Sequence, residues 1–212
     1  MNKKLIYKLA FLSIILALIL AVICWNYFNI KERFANSSKA AKYEFFCSIK
    51  DTYFNALYFM ENLKKNNKLT FSQEFLYLRD SLTSSARLLV ILRNTNPRYR
   101  KYESKVPSIL YTVNDINSLI GQIYFNLSEG KPITTNDSNK LKFLTNEDIY
   151  NMLSNYCSLI KNIISENGEI IESDKALHNP DKYFDKMLEK WDLKKAELLF
   201  HKGLKADITD WP

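Results

Sequence analysis

Residues 9–30 read LAFLSIILALILAVICWNYFNI and carry no charged side chain. At about 1.5 Å per residue, a helix of this length spans about 33 Å, more than the roughly 30 Å hydrocarbon core of a bilayer. Trp25, Tyr27 and Phe28 stand at its far end, where aromatic side chains favour the membrane interface. The stretch therefore predicts a transmembrane signal anchor over residues 9–30, preceded by a short basic cytoplasmic tail over residues 1–8.

Two other interpretations of this stretch stay open. A cleavable signal peptide usually has an apolar region of about 7–15 residues, closely followed by a small-x-small site. Here the apolar run is longer, and a site of that kind, Ala35-Asn36-Ser37, follows three charged residues. A lipoprotein would use Cys24, but the residue before it, Ile23, is bulky. An uncleaved anchor in the cell membrane, with a single pass, is favoured over both.

The orientation of the anchor follows from its basic tail. Basic side chains flank both ends of the span, so counting them gives no clear bias. Translocating Lys3, Lys4 and Lys8 is nevertheless unfavourable. We therefore expect the N-terminus inside the cell and the domain over residues 31–212 to be extracytoplasmic.

A shortage of turn residues predicts an all-α fold for the rest of the chain. The 212 residues include only 4 glycines and 5 prolines. This is about a third of the ordinary share of roughly 12%. Sheet-rich folds need these residues at many tight turns, and phosphate-binding loops need clustered glycines. Long segments with few corners, which are helices, are expected instead.

Apolar residues recur at spacings of three and four along four segments beyond the span. They predict helices over residues 38–65, 70–94, 105–129 and 146–167, and Asn179-Pro180 signals a fifth, shorter helix over residues 180–202. Capping boxes are expected at Thr70 with Gln73 and at Thr145 with Asp148. Short connections favour antiparallel neighbours. The expected domain is an antiparallel up-down four-helix bundle, with the fifth, C-terminal helix packed across it or along one end.

A basic and aromatic loop joins the second and third predicted helices. It contains, with no acid before Glu103, the residues Arg98, Tyr99, Arg100, Lys101 and Tyr102. If the first bundle helix continues outward from the span, this loop returns to the membrane side. Each basic residue near an anionic surface contributes about 1 kcal/mol, and tyrosines favour the headgroup region. The five residues are candidates for contact with anionic lipid headgroups, and the alternative is a solvated loop.

Motifs that carry chemistry are absent from the sequence. There is no nucleotide-binding loop, no His-Glu-x-x-His, no Cys-x-x-Cys and no nucleophile elbow. His178, Asp181 and Asp185 would have metal-ligand spacing only if their helix began before Pro180, and the cap argues against that. Cys47 and Cys157 pair only if their helices meet in the right register; otherwise both are free thiols. We predict no catalytic, cofactor or metal site.

The favoured function is therefore a non-enzymatic one. We expect an interaction, scaffold or sensing-accessory module that works through a protein partner in the membrane, because an eight-residue tail cannot hold an output domain. The alternative is an inward-facing bundle that binds a polyanion, either nucleic acid or anionic lipid, through the basic loop over residues 93–105. Nucleic acid is disfavoured, since the excess of positive charge is mild once the three tail lysines are set aside.

Overall fold

A single long helix begins the structure, which is a computed structural model that describes residues 3–66, 73–95, 105–130, 134–137, 140–143 and 145–203. The described residues form seven helices: α1 (Lys3–Asn66), α2 (Gln73–Thr95), α3 (Lys105–Ser128), α4 (Asn146–Ile164), α5 (Ser173–His178), α6 (Pro180–Lys190) and α7 (Leu193–Gly203). The two short hairpins pair β1 (Thr134–Asp137) with β2 (Lys140–Phe143) and β3 (Ser165–Glu166) with β4 (Glu169–Ile170). The predicted all-α class is confirmed.

Helix α1 joins two segments that the sequence analysis treated separately. Residues 9–30 and 38–65 lie on one unbroken helix. The connecting residues 31–37 contain neither glycine nor proline, so nothing in them ends a helix. The chain divides into two compact units, Met1–Ala40 and Ala41–Pro212, where the sequence suggested a boundary at residue 31.

Helices α1 and α2 pack against each other in the second unit. The hydroxyls of Ser48 and Ser85 lie 2.8 Å apart, and the rings of Phe59 and Phe75 have centroids 5.4 Å apart. Residue numbers rise along α1 while they fall along α2. The two helices therefore run in opposite directions.

The pairs α2–α3 and α1–α4 also run in opposite directions. On α2 and α3, Phe75 stacks on Tyr124 with ring centroids 6.1 Å apart, and the Thr83 hydroxyl lies 3.4 Å from the Asn117 side-chain oxygen. On α1 and α4, the Cys157 thiol lies 4.0 Å from the carbonyl of Tyr53. Further along the same pair, the Lys64 ammonium lies 5.8 Å from the Tyr150 ring centroid.

One cluster of buried apolar side chains forms the core of the second unit. Its members come from α1, α2, α3, α4 and the C-terminal helices, and its largest fully buried side chains include Phe45, Phe46, Phe75, Leu82, Ile116, Tyr156 and Phe184. Burying an aromatic or branched side chain contributes about 1.5–3 kcal/mol. These rows of buried residues hold the helices together.

Helix α4 begins as predicted and ends earlier than predicted. At its start the Thr145 hydroxyl accepts from the Asp148 backbone at 3.1 Å, and the Asp148 carboxylate accepts from the Thr145 backbone at 2.9 Å, which confirms the capping box. At its end, Asn167 and Gly168 have φ of 53° and 86° and turn the chain into the β3–β4 hairpin. Asn-Gly favours such hairpin turns. The helix therefore stops at Ile164 rather than at residue 167.

The predicted fifth helix over residues 180–202 is two helices, α6 and α7. Trp191 leaves the helical conformation with φ −64° and ψ 121°, and its side chain is buried. Asp192 then caps α7, because its carboxylate accepts from the backbone of Lys195 at 3.1 Å. Burial of the indole and capping by the next residue break the helix. Asn179 accepts from the Lys182 backbone at 3.2 Å and caps α6, as the sequence indicated.

Helix α5 and the β1–β2 hairpin were not predicted from the sequence. Helix α5 and the β1–β2 hairpin lie in segments that the sequence analysis treated as connections. Strand pairing runs from Thr134 opposite Phe143 to Asp137 opposite Lys140.

Helix α2 begins at Gln73, and Thr70, its expected cap, lies outside the described residues.

Candidate functional site

An apolar and exposed segment of α1 is the first candidate site. Among the helices that the structure describes, one, α1, is long and apolar enough to cross a membrane. The most apolar part of α1 is not buried. The large apolar side chains exposed along it form what we call the apolar segment: Ile14, Ile15, Leu16, Leu18, Ile19, Leu20, Val22, Ile23, Trp25, Tyr27, Phe28, Ile30 and Phe34. A membrane anchor and a signal sequence share these properties.

The predicted headgroup contact lies outside the described residues. This holds for all five of its members, Arg98, Tyr99, Arg100, Lys101 and Tyr102. The structure does describe the two basic residues that flank them. Arg93 is exposed near the end of α2, and the Lys105 ammonium donates to the carbonyl of Glu189 at 2.8 Å. Lys105 thus joins the start of α3 to the end of α6.

A buried lysine binds the beginning of the second unit to α6. The side chain of Lys42 is only 5% exposed and forms an ion pair with Asp181, in the first turn of α6. Its ammonium also lies 6.0 Å from the centroid of the Phe184 ring. Lysine is almost never buried unless its charge is paired, so Asp181 is what allows Lys42 to lie here.

Further polar contacts fasten the segment that surrounds α5. The Lys50 ammonium donates to the carbonyl of Ile171 and to the hydroxyl of Ser173, each at 3.2 Å. Lys186 on α6 forms an ion pair with Glu166 of the β3–β4 hairpin. The hydrogen bond from Lys186 lowers the pKa of the Glu166 carboxyl. These contacts tie α1, the hairpin and α6 together.

Small hydroxyl side chains fill part of the interface between α1 and α2. The Ser48 hydroxyl donates to the carbonyl of Ser81 at 2.9 Å, and the Ser85 hydroxyl donates to the same carbonyl at 2.8 Å. One turn along α1, the Thr52 hydroxyl donates to the carbonyl of Ser48 at 2.9 Å. Buried hydroxyl groups need such partners. This polar group is therefore a packing contact between two helices.

The thiol of the core cysteine, Cys157, is buried. Burial raises the pKa of the Cys157 thiol to about 12, so the thiol is protonated at neutral pH. Cys47 and Cys157 are both free, which decides between the two alternatives left by the sequence. The neighbouring Tyr156 hydroxyl is buried without a hydrogen-bond partner among the described residues, and burial raises its pKa well above 10.

Asp115 on α3 is a partly buried acid. Desolvation raises the pKa of its carboxyl to about 6. The folded protein therefore holds this proton more tightly than a free aspartate does, although the carboxyl is still mostly ionised at pH 7. No pattern in the sequence marks Asp115 as a candidate.

The histidine and two aspartates with metal-ligand spacing do not form a metal site. His178 is exposed at the end of α5, and Asp181 is paired with Lys42. Across the residues that the structure describes, no group of three His, Cys, Asp or Glu side chains is arranged to hold a metal ion. The sequence did not predict the contacts of Lys42 and Lys50, because each joins residues more than one hundred positions apart in the chain.

No family model, curated protein or solved structure matches this chain.

Proposed function

We propose that this protein is a single-pass, membrane-anchored helical-bundle protein. Its domain is extracytoplasmic and works as an interaction, scaffold or sensing-accessory module through a protein partner in the membrane, without catalysis of its own. One observation carries the proposal: the large apolar side chains of α1 are exposed from Ile14 to Phe34, whereas from Phe45 onward most of them are buried, with Tyr58 the exposed exception among the described residues. Exposed apolar surface on this scale is expected to be covered by lipid or by another protein.

The proposed architecture is an up-and-down bundle of α1 from Ala41 onward, α2, α3 and α4. Three antiparallel contacts support it: α1 with α2, α2 with α3, and α1 with α4. Short connections between such helices make neighbours in sequence neighbours in space. In this arrangement α6 and α7 cover one side of the bundle, where Trp191 donates to the Ser108 hydroxyl at 3.0 Å.

The chemistry of the buried polar groups supports a binding role. The Lys42, Lys50 and Ser48 side chains bond to neighbouring helices and so act in packing. The Cys157 thiol has a raised pKa, which makes it a poor nucleophile. The groups that remain for function are exposed side chains, which suit contact with another macromolecule.

The test is a pair of topology fusions on the full-length chain. Alkaline phosphatase, which is active only after export, and green fluorescent protein, which fluoresces only when it stays inside, are fused in turn to the C-terminus. We expect active phosphatase and no fluorescence in washed membranes. Fluorescence with inactive phosphatase would overturn the extracytoplasmic assignment. The intact mass of the membrane-bound chain reports separately whether the apolar segment is retained.

The alternative proposal is an inward-facing bundle that binds a polyanion through residues 93–105. Exposure of Arg93 at the end of α2 supports it, whereas the bond of Lys105 to α6 removes one cation from that loop. The full-length chain in nanodiscs of neutral or anionic lipid provides a test by limited trypsin cleavage. Lipid contact predicts slower cleavage after Arg98, Arg100 and Lys101 on anionic discs, with unchanged cleavage at the exposed Lys194 and Lys195. Equal rates on both discs would contradict it.

A further inference from the structure

The outer surface of the second unit is unevenly apolar. Among the described residues from Ala41 onward, eight large hydrophobic side chains are exposed, and six of them lie on α2 and α3: Leu76, Tyr77, Val90, Ile91, Tyr111 and Phe125. The exposed positions of α4 are polar instead: Glu147, Asn151, Ser154, Asn155, Ser158, Lys161 and Asn162. The outer face of α2 and α3 is therefore the apolar face of this unit.

Six exposed residues of α2 form three pairs placed symmetrically about one point, although exposed Arg79 has half-buried Leu88 at its mirror position. About the midpoint between Thr83 and Ser84, Leu76 mirrors Ile91, Tyr77 mirrors Val90, and Asp80 mirrors Arg87. Apolar pairs stand at both ends, about 21 Å apart at 1.5 Å per residue. Opposite charges lie nearer the centre, and small hydroxyl side chains lie at the centre itself. A helix with this pattern complements a second copy of itself that runs in the opposite direction.

Helix α3 continues the same symmetry. Tyr111, Ser118 and Phe125 are spaced by seven residues and so lie on one stripe of the helix. Thr83, at the centre of the α2 pattern, contacts Asn117, which is next to Ser118 on α3. The middle of the α3 stripe therefore lies at the same height along the helices as the middle of the α2 pattern. The aromatic side chains of α3 thus lie beside the apolar pairs of α2, one at each end.

We propose that the outer face of α2 and α3 is a homodimer interface, in which α2 packs antiparallel against α2 of a second copy around Ser84. Charge complementarity identifies the occupant, because Asp80 of each copy then faces Arg87 of the other. Neither residue forms an ion pair inside the part of the chain that the structure describes. In a two-fold interface the same patch of each copy contacts the other, so the patch must be complementary to itself. On this face, apolar residues then meet apolar residues and acidic residues meet basic ones.

The geometry of this dimer determines the sample to be studied. Because α1 runs antiparallel to α2, the two copies of Ala41 lie at opposite ends of the paired helices. If each copy is anchored through residues 9–30, as proposed above, this dimer joins copies in two facing membranes and not two copies in one bilayer. Full-length chains in separate detergent micelles, where no shared bilayer constrains either copy, can form the pair freely. Oligomeric state is measured there by light scattering with the detergent mass subtracted, and we expect a dimer.

A cysteine at the symmetry axis makes the test specific. In a Cys24→Ser background, which removes the exposed native thiol, Ser84→Cys brings two thiols together across the axis. Ser154→Cys, an exposed serine on the polar face of α4, is the matched control. Under mild oxidation we expect at least about tenfold more disulfide-linked dimer from Ser84→Cys, a preference that corresponds to a free-energy difference near 1.4 kcal/mol. A monomer by light scattering with equal cross-linking at both positions overturns the proposal and leaves this face to a different partner.

Charge exchange provides an independent check that does not depend on disulfide chemistry. Asp80→Arg alone places like charges against each other twice in the dimer, and so does Arg87→Asp alone. Each is expected to abolish the excess of cross-linking at Ser84→Cys. The double variant with both changes restores the opposite-charge pairs and is expected to recover it. Recovery supports the antiparallel pair, whereas loss in all three variants, with folding intact by circular dichroism, overturns it.

Discussion

Two stretches of the same helix place similar side chains in opposite surroundings. Phe28, in the apolar segment of α1, is 65% exposed, whereas Phe45, seventeen positions later, is completely buried. Backbone conformation does not distinguish them, since α1 is unbroken between them. What differs is the distribution of apolar residues around the helix. They surround it in the first stretch and alternate with polar residues in the second, and this difference determines whether a helix is suited to lipid or to a protein core.

The largest expected effect comes from placing charge in the first stretch. In Leu18→Arg with Ile19→Arg, each arginine near the middle of a bilayer costs about 2.5–3.5 kcal/mol. We expect loss of the protein from carbonate-washed membranes. Asn36→Arg with Ser37→Arg adds the same charge at exposed positions beyond the apolar segment and should leave the membrane fraction unchanged. Equal retention of both variants would mean that the apolar segment is not in lipid.

A matched pair of phenylalanine substitutions separates the two stretches by stability. Phe45→Ala removes a buried ring that packs on Phe184 at a centroid distance of 5.6 Å. Such a change costs about 3–5 kcal/mol, since a cavity remains. Phe28→Ala should leave the free energy of unfolding nearly unchanged. Thermal unfolding of the full-length protein in detergent, followed by tryptophan fluorescence, measures both, and equal shifts would contradict the contrast between the stretches.

A smaller effect is expected where the second stretch meets α6. Asp181→Asn leaves the buried Lys42 ammonium without its opposite charge. Removing one partner of a buried pair is strongly destabilising, and we expect about 2 kcal/mol here because Asp181 is partly exposed. Asp185→Asn, one turn along α6, is the control and should change stability by less than about 0.5 kcal/mol. Similar losses from both substitutions would show that the ion pair has no special role.

The smallest expected effect depends on pH. The pKa of the Asp115 carboxyl is raised to about 6, above its unfolded value, so this group's contribution to stability is present below about pH 4 and is lost as the pH rises through 6. Asp115→Asn should therefore stabilise the protein by about 1 kcal/mol at pH 8, after allowance for partial solvation, and by little at pH 4. The melting temperature at both values checks this. A gain that is the same at pH 4 and pH 8 would contradict it.

Local patterns in the sequence predicted the helices well because they act over one or two turns. The capping box at Thr145 and the cap at Asn179 are examples. The break at Trp191 was missed, because the heptad pattern continues through it and the indole is held by Ser108, far away in the chain. Contacts such as Lys42 with Asp181 depend on how helices pack, and no local pattern encodes them.

The candidate sites were predictable to different degrees. The apolar segment follows from composition alone, since any run of this length without charge has the same property. The symmetry of α2 is also present in the sequence, but it acquires meaning only once the structure shows which of its residues are exposed. The basic loop over residues 98–102 remains a prediction, because it lies outside the described residues.

The native Cys24 thiol tests the central contrast within α1 most directly. The full-length chain is placed in nanodiscs, whose two faces are both open to water, and is labelled with a charged maleimide that does not enter lipid. Asn36→Cys in a Cys24→Ser background provides the reference rate for an exposed thiol on the same helix. We predict that Cys24 reacts far more slowly than this reference in nanodiscs and at a similar rate once the protein is unfolded in denaturant without lipid. Equal rates in nanodiscs would contradict the account, because they would mean that the apolar segment lies in water.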